Sequence, residues 1–106
     1  MALATAAKTL MLQALDTASV AAVLYDYLTT PCSDTVEINF SVSNGVMSLA
    51  MSIVFEVPAG KIPSTLYVYG GGPTLLFAGA LPGTTAERTF AYAGTYTVTG
   101  CTVTLS

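Results

Sequence analysis

Hydrophobic and polar residues alternate most clearly on either side of the dipeptide Asn44-Gly45. Apolar side chains occupy every second position from 36 to 42 and again from 47 to 57, with mostly small or polar residues between them. Strict alternation predicts strands with one buried face, and Asn-Gly is the strongest signal for a two-residue type I′ turn. We therefore predict a hairpin in which every pair on one face is apolar: Val42 with Met47, Phe40 with Leu49, Ile38 with Met51 and Val36 with Ile53.

Shorter apolar segments bounded by Gly or Pro continue through the rest of the chain. We predict a buried strand at 18–28, which ends before Pro31, and further strands at 64–69, 74–79, 87–92, 95–99 and 101–105. Short strands separated by regular turn signals are typical of an antiparallel sandwich or small barrel. The fold expected for residues 1–106 is therefore a single, mainly β domain: an antiparallel, jelly-roll-like β-sandwich with one N-terminal α-helix.

The N-terminal helix is predicted over residues 2–16. Its polar residues are spaced so that they share one narrow stripe, which leaves an unusually wide apolar side. Two interpretations fit this pattern: a helix packed deep against a sheet, or a helix held between neighbouring subunits. The second interpretation makes four apolar residues candidates for a subunit interface: Leu3, Leu10, Met11 and Leu15.

Threonines alternate with apolar residues along the last two predicted strands. The pattern predicts one apolar face and one face covered with hydroxyl groups. Hydroxyl groups can form hydrogen bonds across an interface without a charge that must be desolvated, so this face suits a neighbouring subunit or water. The candidate interface residues here are Thr97, Thr99, Thr102 and Thr104.

Charged residues are scarce for a chain without a membrane-spanning segment. Three basic and six acidic residues make up 8% of the 106 residues, against 53% hydrophobic residues, whereas an ordinary soluble domain is about one-quarter charged. No apolar run approaches the roughly 20 residues needed to span a bilayer, and Lys8, Gln13 and Asp16 interrupt any signal-peptide core. With a net charge of −3 and scattered basic residues, nucleic acid is not expected as a partner. We expect an assembly subunit whose surface is largely covered by other protein chains.

The sequence offers little chemistry for catalysis or metal binding. Histidine is absent, no acids form a tight pair, and Gly70-Gly71-Gly72 is not followed by the Lys-Ser/Thr of a phosphate loop. Cys32 and Cys101 are either two free thiols or a single disulfide, and spacing alone leaves both states open. We expect no enzyme activity and no catalytic, metal or cofactor site.

Tyrosine is the remaining recognition residue, and alternation places Tyr67 and Tyr69 on the same face of a strand. Exposed tyrosines anchor protein interfaces and stack on sugars. Three interpretations stay open for this pair: packing at the margin of a sheet, contact with another subunit, or binding of a glycan.

Three stretches of the chain resemble small structural proteins of tailed bacteriophages, a family often labelled tail fibre or minor tail protein. They are the opening helix from Met1 to Leu15, the segment Phe55-Glu56-Val57-Pro58-Ala59-Gly60, and the closing strands around 77–81 and 90–105. The resemblance implies a virion component assembled in the host cytoplasm, which contacts copies of itself and other virion proteins. It favours a subunit attached to the tail; the alternatives are a head decoration protein that binds the capsid and a module that binds a host surface glycan.

Overall fold

The computed structural model describes residues 4–71 and 74–104, and within them the chain is mainly β with one helix at the N-terminal side. All pairings between the described strands are antiparallel, which confirms the predicted fold class. The elements follow in this order: α1 Thr5–Ala18, β1 Ala21–Asp26, β2 Val36–Glu37, β3 Phe40–Ser43, β4 Val46–Leu49, β5 Ile53–Val57, β6 Pro63–Tyr69, β7 Leu75–Ala80, α2 Thr85–Arg88, β8 Gly94–Val98 and β9 Thr102–Thr104.

The strands form three antiparallel sheets around a shared core. The largest has the order β2-β1-β6-β7, the second has the order β3-β4-β9, and β5 pairs with β8. The Phe40 ring on β3 lies 5.8 Å from the Phe77 ring on β7, so side chains from different sheets meet inside. Phe55, Leu24 and Met47 are fully buried in this core, as expected for a β-sandwich-like arrangement.

The predicted turn at Asn44-Gly45 is present with the expected register. Both residues have positive φ angles, 50° and 75°, as a type I′ turn requires. Ser43 pairs with Val46, and the pairing continues to Phe40 with Leu49.

The hairpin is shorter than predicted, and the proposed pairs of Ile38 with Met51 and Val36 with Ile53 are wrong. Val36 pairs instead with Ala22 of β1, and Ile53 pairs with Val98 of β8. The Met51 side chain is 74% exposed at the point where the chain leaves one sheet for another. Alternation constrains which face of a strand is buried but not which strand it pairs with, and this accounts for the error.

The strand predicted at 87–92 is also wrong, because residues 85–88 form the short helix α2. The Thr84 hydroxyl accepts a hydrogen bond from Glu87 N, and the Glu87 carboxylate accepts one from Thr84 N at 2.8 Å. This reciprocal capping box starts a helix. Arg88 holds the turn against β6 by donating from Nε to the Pro63 carbonyl at 2.8 Å.

The helix α1 extends over Thr5–Ala18, so its end lies two residues beyond the predicted one. It lies over the β3–β4 hairpin, and Thr9 Oγ1 accepts a hydrogen bond of 2.8 Å from Gly45 N. Leu12 is the one buried residue of α1. The helix therefore packs against the β3-β4-β9 sheet, as one interpretation expected, but through a narrow strip at Leu12 and Leu15 that leaves much of its wide apolar side exposed.

Candidate interaction surfaces

The outer side of α1 is uncharged and mostly apolar. Leu10 and Met11 are 67% and 52% exposed, whereas the two charged residues of the helix, Lys8 and Asp16, are half-buried. An ordinary surface helix turns its apolar stripe towards the core. The helix α1 does so with Leu12 and Leu15 but leaves Leu10 and Met11 in solvent. We refer to the side that carries Leu10 and Met11 as the outer helix face. Exposed apolar side chains that lie next to each other on a helix make this face a candidate interaction surface.

The other two helix candidates lie elsewhere. Leu15 is partly buried and packs against the core, so it does not belong to the outer helix face. Leu3 lies outside the described residues.

Three tyrosines form a cluster on the outer face of the β1–β6 pair. The Tyr25 ring stacks on the Tyr67 ring with centroids 4.1 Å apart, and Tyr69 lies 6.3 Å from Tyr67. Tyr67 and Tyr69 share a face, as the alternation predicts. All three side chains are half-buried.

The hydroxyl groups of this cluster bond to each other. Tyr69 donates to the Tyr25 hydroxyl at 2.7 Å. This hydrogen bond, together with burial, raises the pKa of Tyr69 to about 12. Because stacking covers one face of Tyr25 and one face of Tyr67, the geometry favours packing within the sheet over stacking on a sugar.

A groove of about 480 Å³ borders the tyrosine cluster. Its lining is mostly apolar and includes Val20, Val23, Tyr25 and Tyr69. The groove offers aromatic edges and one backbone loop at Gly70, but it has no charged side chain in its lining.

The threonines of the last two strands are all exposed, and their apolar neighbours Tyr96, Val98 and Val103 point inwards. The structure nevertheless divides the threonines between two sheets. Thr95 and Thr97 lie on β8 beside β5, whereas Thr102 and Thr104 lie on β9 beside β4. Thr99 lies in the connection between them. The single hydroxyl-covered face that alternation predicted is therefore two separate faces.

The sequence analysis missed a rigid turn that presents two large hydrophobic side chains. Tyr27 and Leu28 are 71% and 66% exposed. The Asp26 carboxylate accepts hydrogen bonds from Leu28 N and Thr30 N at 2.9 and 3.0 Å, and Thr29 has a φ of 59°. An aspartate that bonds to the backbone two residues on is the usual signal of such a turn. The apolar residues on either side of Asp26 predict a continuous strand, and this pattern hides the signal of the turn.

Cys32 and Cys101 are free thiols rather than a disulfide. Cys32 is buried, and desolvation, with a smaller contribution from the Asp26 carboxylate, raises the pKa of its thiol to about 11. Burial also raises the pKa of Cys101. Thiols of this kind are poor nucleophiles at neutral pH.

Another groove, of about 600 Å³, contains the polar side chains of Ser33, Asp34 and Glu56. The Ser33 hydroxyl accepts from Leu24 N and donates to the Asp34 carbonyl, and the Asp34 carboxylate accepts from Glu56 N at 2.9 Å. These groups stabilise loops. Within residues 4–71 and 74–104, no set of three His, Cys, Asp or Glu side chains is placed to hold a metal ion. Over the same residues, neither helix is long and apolar enough to cross a membrane.

Comparison of the chain with known protein families, with curated proteins and with solved structures gave no match.

Proposed function

We propose that this chain is a non-enzymatic structural subunit of a tailed-bacteriophage virion, attached to the tail and present in repeated copies. The observation that carries the proposal is the outer helix face, where Leu10 and Met11 are exposed while Lys8 and Asp16 are half-buried. This face contacts neighbouring virion proteins.

The physical argument concerns the cost of burying charge. An ion that loses water at an interface costs several kcal/mol unless it is well paired. A chain with nine charged residues, none of them on the outer helix face, can be covered by neighbours without that cost. The exposed threonines of β9, which lie opposite Val46 and Ser48, add further uncharged surface, since hydroxyl groups can form hydrogen bonds to a neighbour or to water.

The resemblance to small phage structural proteins supplies the setting. Its three stretches fall on α1, on β5 with the turn that follows it, and on the segments that include β7, β8 and β9. The alternative within the same setting is a head decoration protein, which would bind the assembled capsid.

The direct test is to locate the chain in purified particles of the phage that encodes it. Virions are washed at high salt, separated into heads and tails, and analysed by mass spectrometry. Recovery with tails supports the proposal. Recovery with heads overturns the tail position and supports the decoration alternative, and recovery with neither overturns a virion role.

A variant pair tests the outer helix face. Particles that lack the chain are incubated with purified protein carrying Leu10→Lys and Met11→Lys, which we expect to lose incorporation. The matched control, Thr85→Lys with Ala86→Lys, adds the same charge at exposed positions of the other helix and should be incorporated like the original chain. Equal incorporation of both variants would overturn the role assigned to this face.

A further inference from the structure

The strand β7 lies at one edge of the four-stranded sheet, and its outer side is unpaired among the described strands. Leu75–Ala80 contains neither a charge nor a proline, and its last three residues are exposed. Natural proteins usually protect edge strands with lysines, prolines, bulges or covering elements, since an open edge pairs readily with another chain. Charge and proline are absent here. The strand carries one bulge, at Leu76, where its register with β6 shifts, so Phe77–Ala80 is the regular and unprotected part of the edge.

Other strand edges in the described part of the chain are shorter or protected. The opposite edge strand of the same sheet, β2, has two residues and carries Glu37. The edge of β5 is occupied by Asp34, which bonds to both the N–H and the C=O of Glu56. α1 packs over β3 and β4. β8 and β9 are the competing open edges, with five and three residues against six in β7.

The hydrogen-bond pattern shows which residues of β7 face outwards. Leu81 N donates to the Ser64 carbonyl at 2.9 Å, and in an antiparallel pair such bonded positions alternate along the ladder. Phe77 and Gly79 therefore direct their backbone groups to β6. The backbone groups of Ala78 and Ala80 point away from the sheet.

The sequence of β7 is self-complementary about Ala78. If two copies pair antiparallel with their Ala78 residues opposite each other, Phe77 faces Gly79 of the other copy. The residue opposite Ala80 is Leu76, which lies in the bulge and marks the end of the regular pairing. The large side chain of Phe77 is then matched with a glycine of the other copy. An added Cβ on Gly79 would meet nothing within 4 Å, so this position is not blocked by the rest of its own chain.

A groove of about 300 Å³ opens beside this edge, between β7 and β9. Its lining includes Leu66, Phe77, Cys101 and Val103, which are partly or wholly buried core residues. A strand bound along β7 would cover it.

We propose that β7 pairs antiparallel with β7 of a second copy of this chain, across a two-fold axis at Ala78. The occupant is a second copy because an isologous contact requires one patch to complement itself, and the large-to-small pattern and absence of charge meet that requirement. The proposal deepens the proposed function by naming one subunit contact. It depends on the part of the proposed function that places the chain in repeated copies, but the contact uses a surface separate from the outer helix face.

Mass measured by light scattering across a concentration series tests the contact. The original chain should reach twice the monomer mass of 10.9 kDa. Ala78→Lys should remain monomeric, because the new charge lies at the paired edge. Gly79→Val provides a second variant: it has room in the monomer and places a branched side chain against Phe77 of the other copy. Thr97→Lys, on the open edge of β8, is the matched control and should dimerise normally.

Cross-linking tests the register. In a background with Cys101→Ser, Ala78→Cys should oxidise to a covalent dimer, since residues opposite each other in a bonded pair have Cα atoms about 5.5 Å apart. Ala80→Cys should not, because Ala80 faces Leu76. Equal cross-linking at both positions would overturn the register.

The outcomes separate the two proposals. A dimer that persists in Ala78→Lys and Gly79→Val but is lost in Thr97→Lys overturns the β7 contact and leaves the virion role intact. A monomer at every concentration also overturns the β7 contact. Absence of the chain from purified particles overturns the virion role without affecting a dimer seen in solution.

Discussion

The Tyr69 hydroxyl donates a hydrogen bond to the Tyr25 hydroxyl at 2.7 Å, joining residues 44 positions apart in the chain. Tyr25 also stacks on Tyr67, so the three rings form one unit across β1 and β6. The cluster lies on the outer face of the largest sheet and joins β1 to β6, the strand that separates β1 from β7. Substitutions that change the free energy of unfolding test its role in stability independently of any role in recognition.

We expect Tyr69→Phe to lower the free energy of unfolding by about 1 kcal/mol, because the hydrogen bond is lost while the ring is kept. Tyr27→Phe is the control, since Tyr27 is exposed and makes no hydrogen bond through its hydroxyl group in the described structure. Urea unfolding measures both. Equal stability of the two variants would contradict a stabilising role for the hydroxyl pair.

Because of the same hydrogen bond, we expect one tyrosine to ionise at an unusually high pH. The pKa of Tyr69 is raised from an ordinary value of 10.0 to about 12, mainly because its hydroxyl bonds to Tyr25. A raised pKa in the folded state means that this contribution to stability is fully present below pH 10 and is lost as pH rises through about 12. Ultraviolet difference titration should show a step near pH 12 that is missing in Tyr69→Phe. A titration identical to that of the variant would contradict the prediction.

The contact between α1 and the hairpin turn rests on one polar bond. Thr9→Val removes the acceptor for Gly45 N and should lower the free energy of unfolding by about 1 kcal/mol. Thr17→Val is the matched control, because the Thr17 hydroxyl bonds to the Gln13 carbonyl of the same helix. Chemical unfolding, followed by the circular-dichroism signal of the helix, gives the free energy of unfolding of both variants. If Thr17→Val lowers the free energy of unfolding by the same amount, the effect of Thr9→Val reflects helix propensity rather than the turn contact.

This contact also explains why the orientation of α1 was beyond sequence reasoning. A polar stripe on a helix normally faces solvent, but here Thr9 satisfies a backbone N–H of the turn and Lys8 lies along Gly45, so part of the stripe faces inwards. That orientation depends on where the helix meets the hairpin. The tertiary contact therefore overrides the pattern.

Local signals were reliable where they determine the conformation by themselves. Asn44-Gly45 with alternating flanks gave the correct turn and four correct cross-strand positions. The spacing of Thr84 and Glu87 is an equally local capping-box signal, and it would have identified α2. Strand partners beyond residue 50 depend on the whole fold. The outer helix face and the open edge of β7 could be seen only once the sheets were assembled.

The two cysteines should react slowly and at different rates. At pH 8 a thiol whose pKa is about 11 is ionised in only about one molecule in a thousand, and Cys32 is also buried. Cys101 is partly exposed, so we expect it to react first with a disulfide reagent. Cys101→Ser should remove the faster phase. A fast phase that survives this substitution would contradict the assignment.

The turn at 26–30 holds a threonine in a backbone conformation that β-branched residues avoid. Thr29 has a φ of 59°, and the left-handed region costs an L-residue roughly 1–2 kcal/mol, although asparagine tolerates it better. Thr29→Asn should therefore raise the free energy of unfolding by about 0.5–1 kcal/mol, while Thr30→Asn, at an ordinary φ, should not raise it. Thermal unfolding of the two variants provides the comparison, and a stability gain in Thr30→Asn alone would contradict the assignment of strain. Strain of this kind is often found at functional sites, and this turn carries the exposed side chains of Tyr27 and Leu28. A gain in stability at Thr29 accompanied by weaker incorporation into particles would identify this turn as a second contact surface.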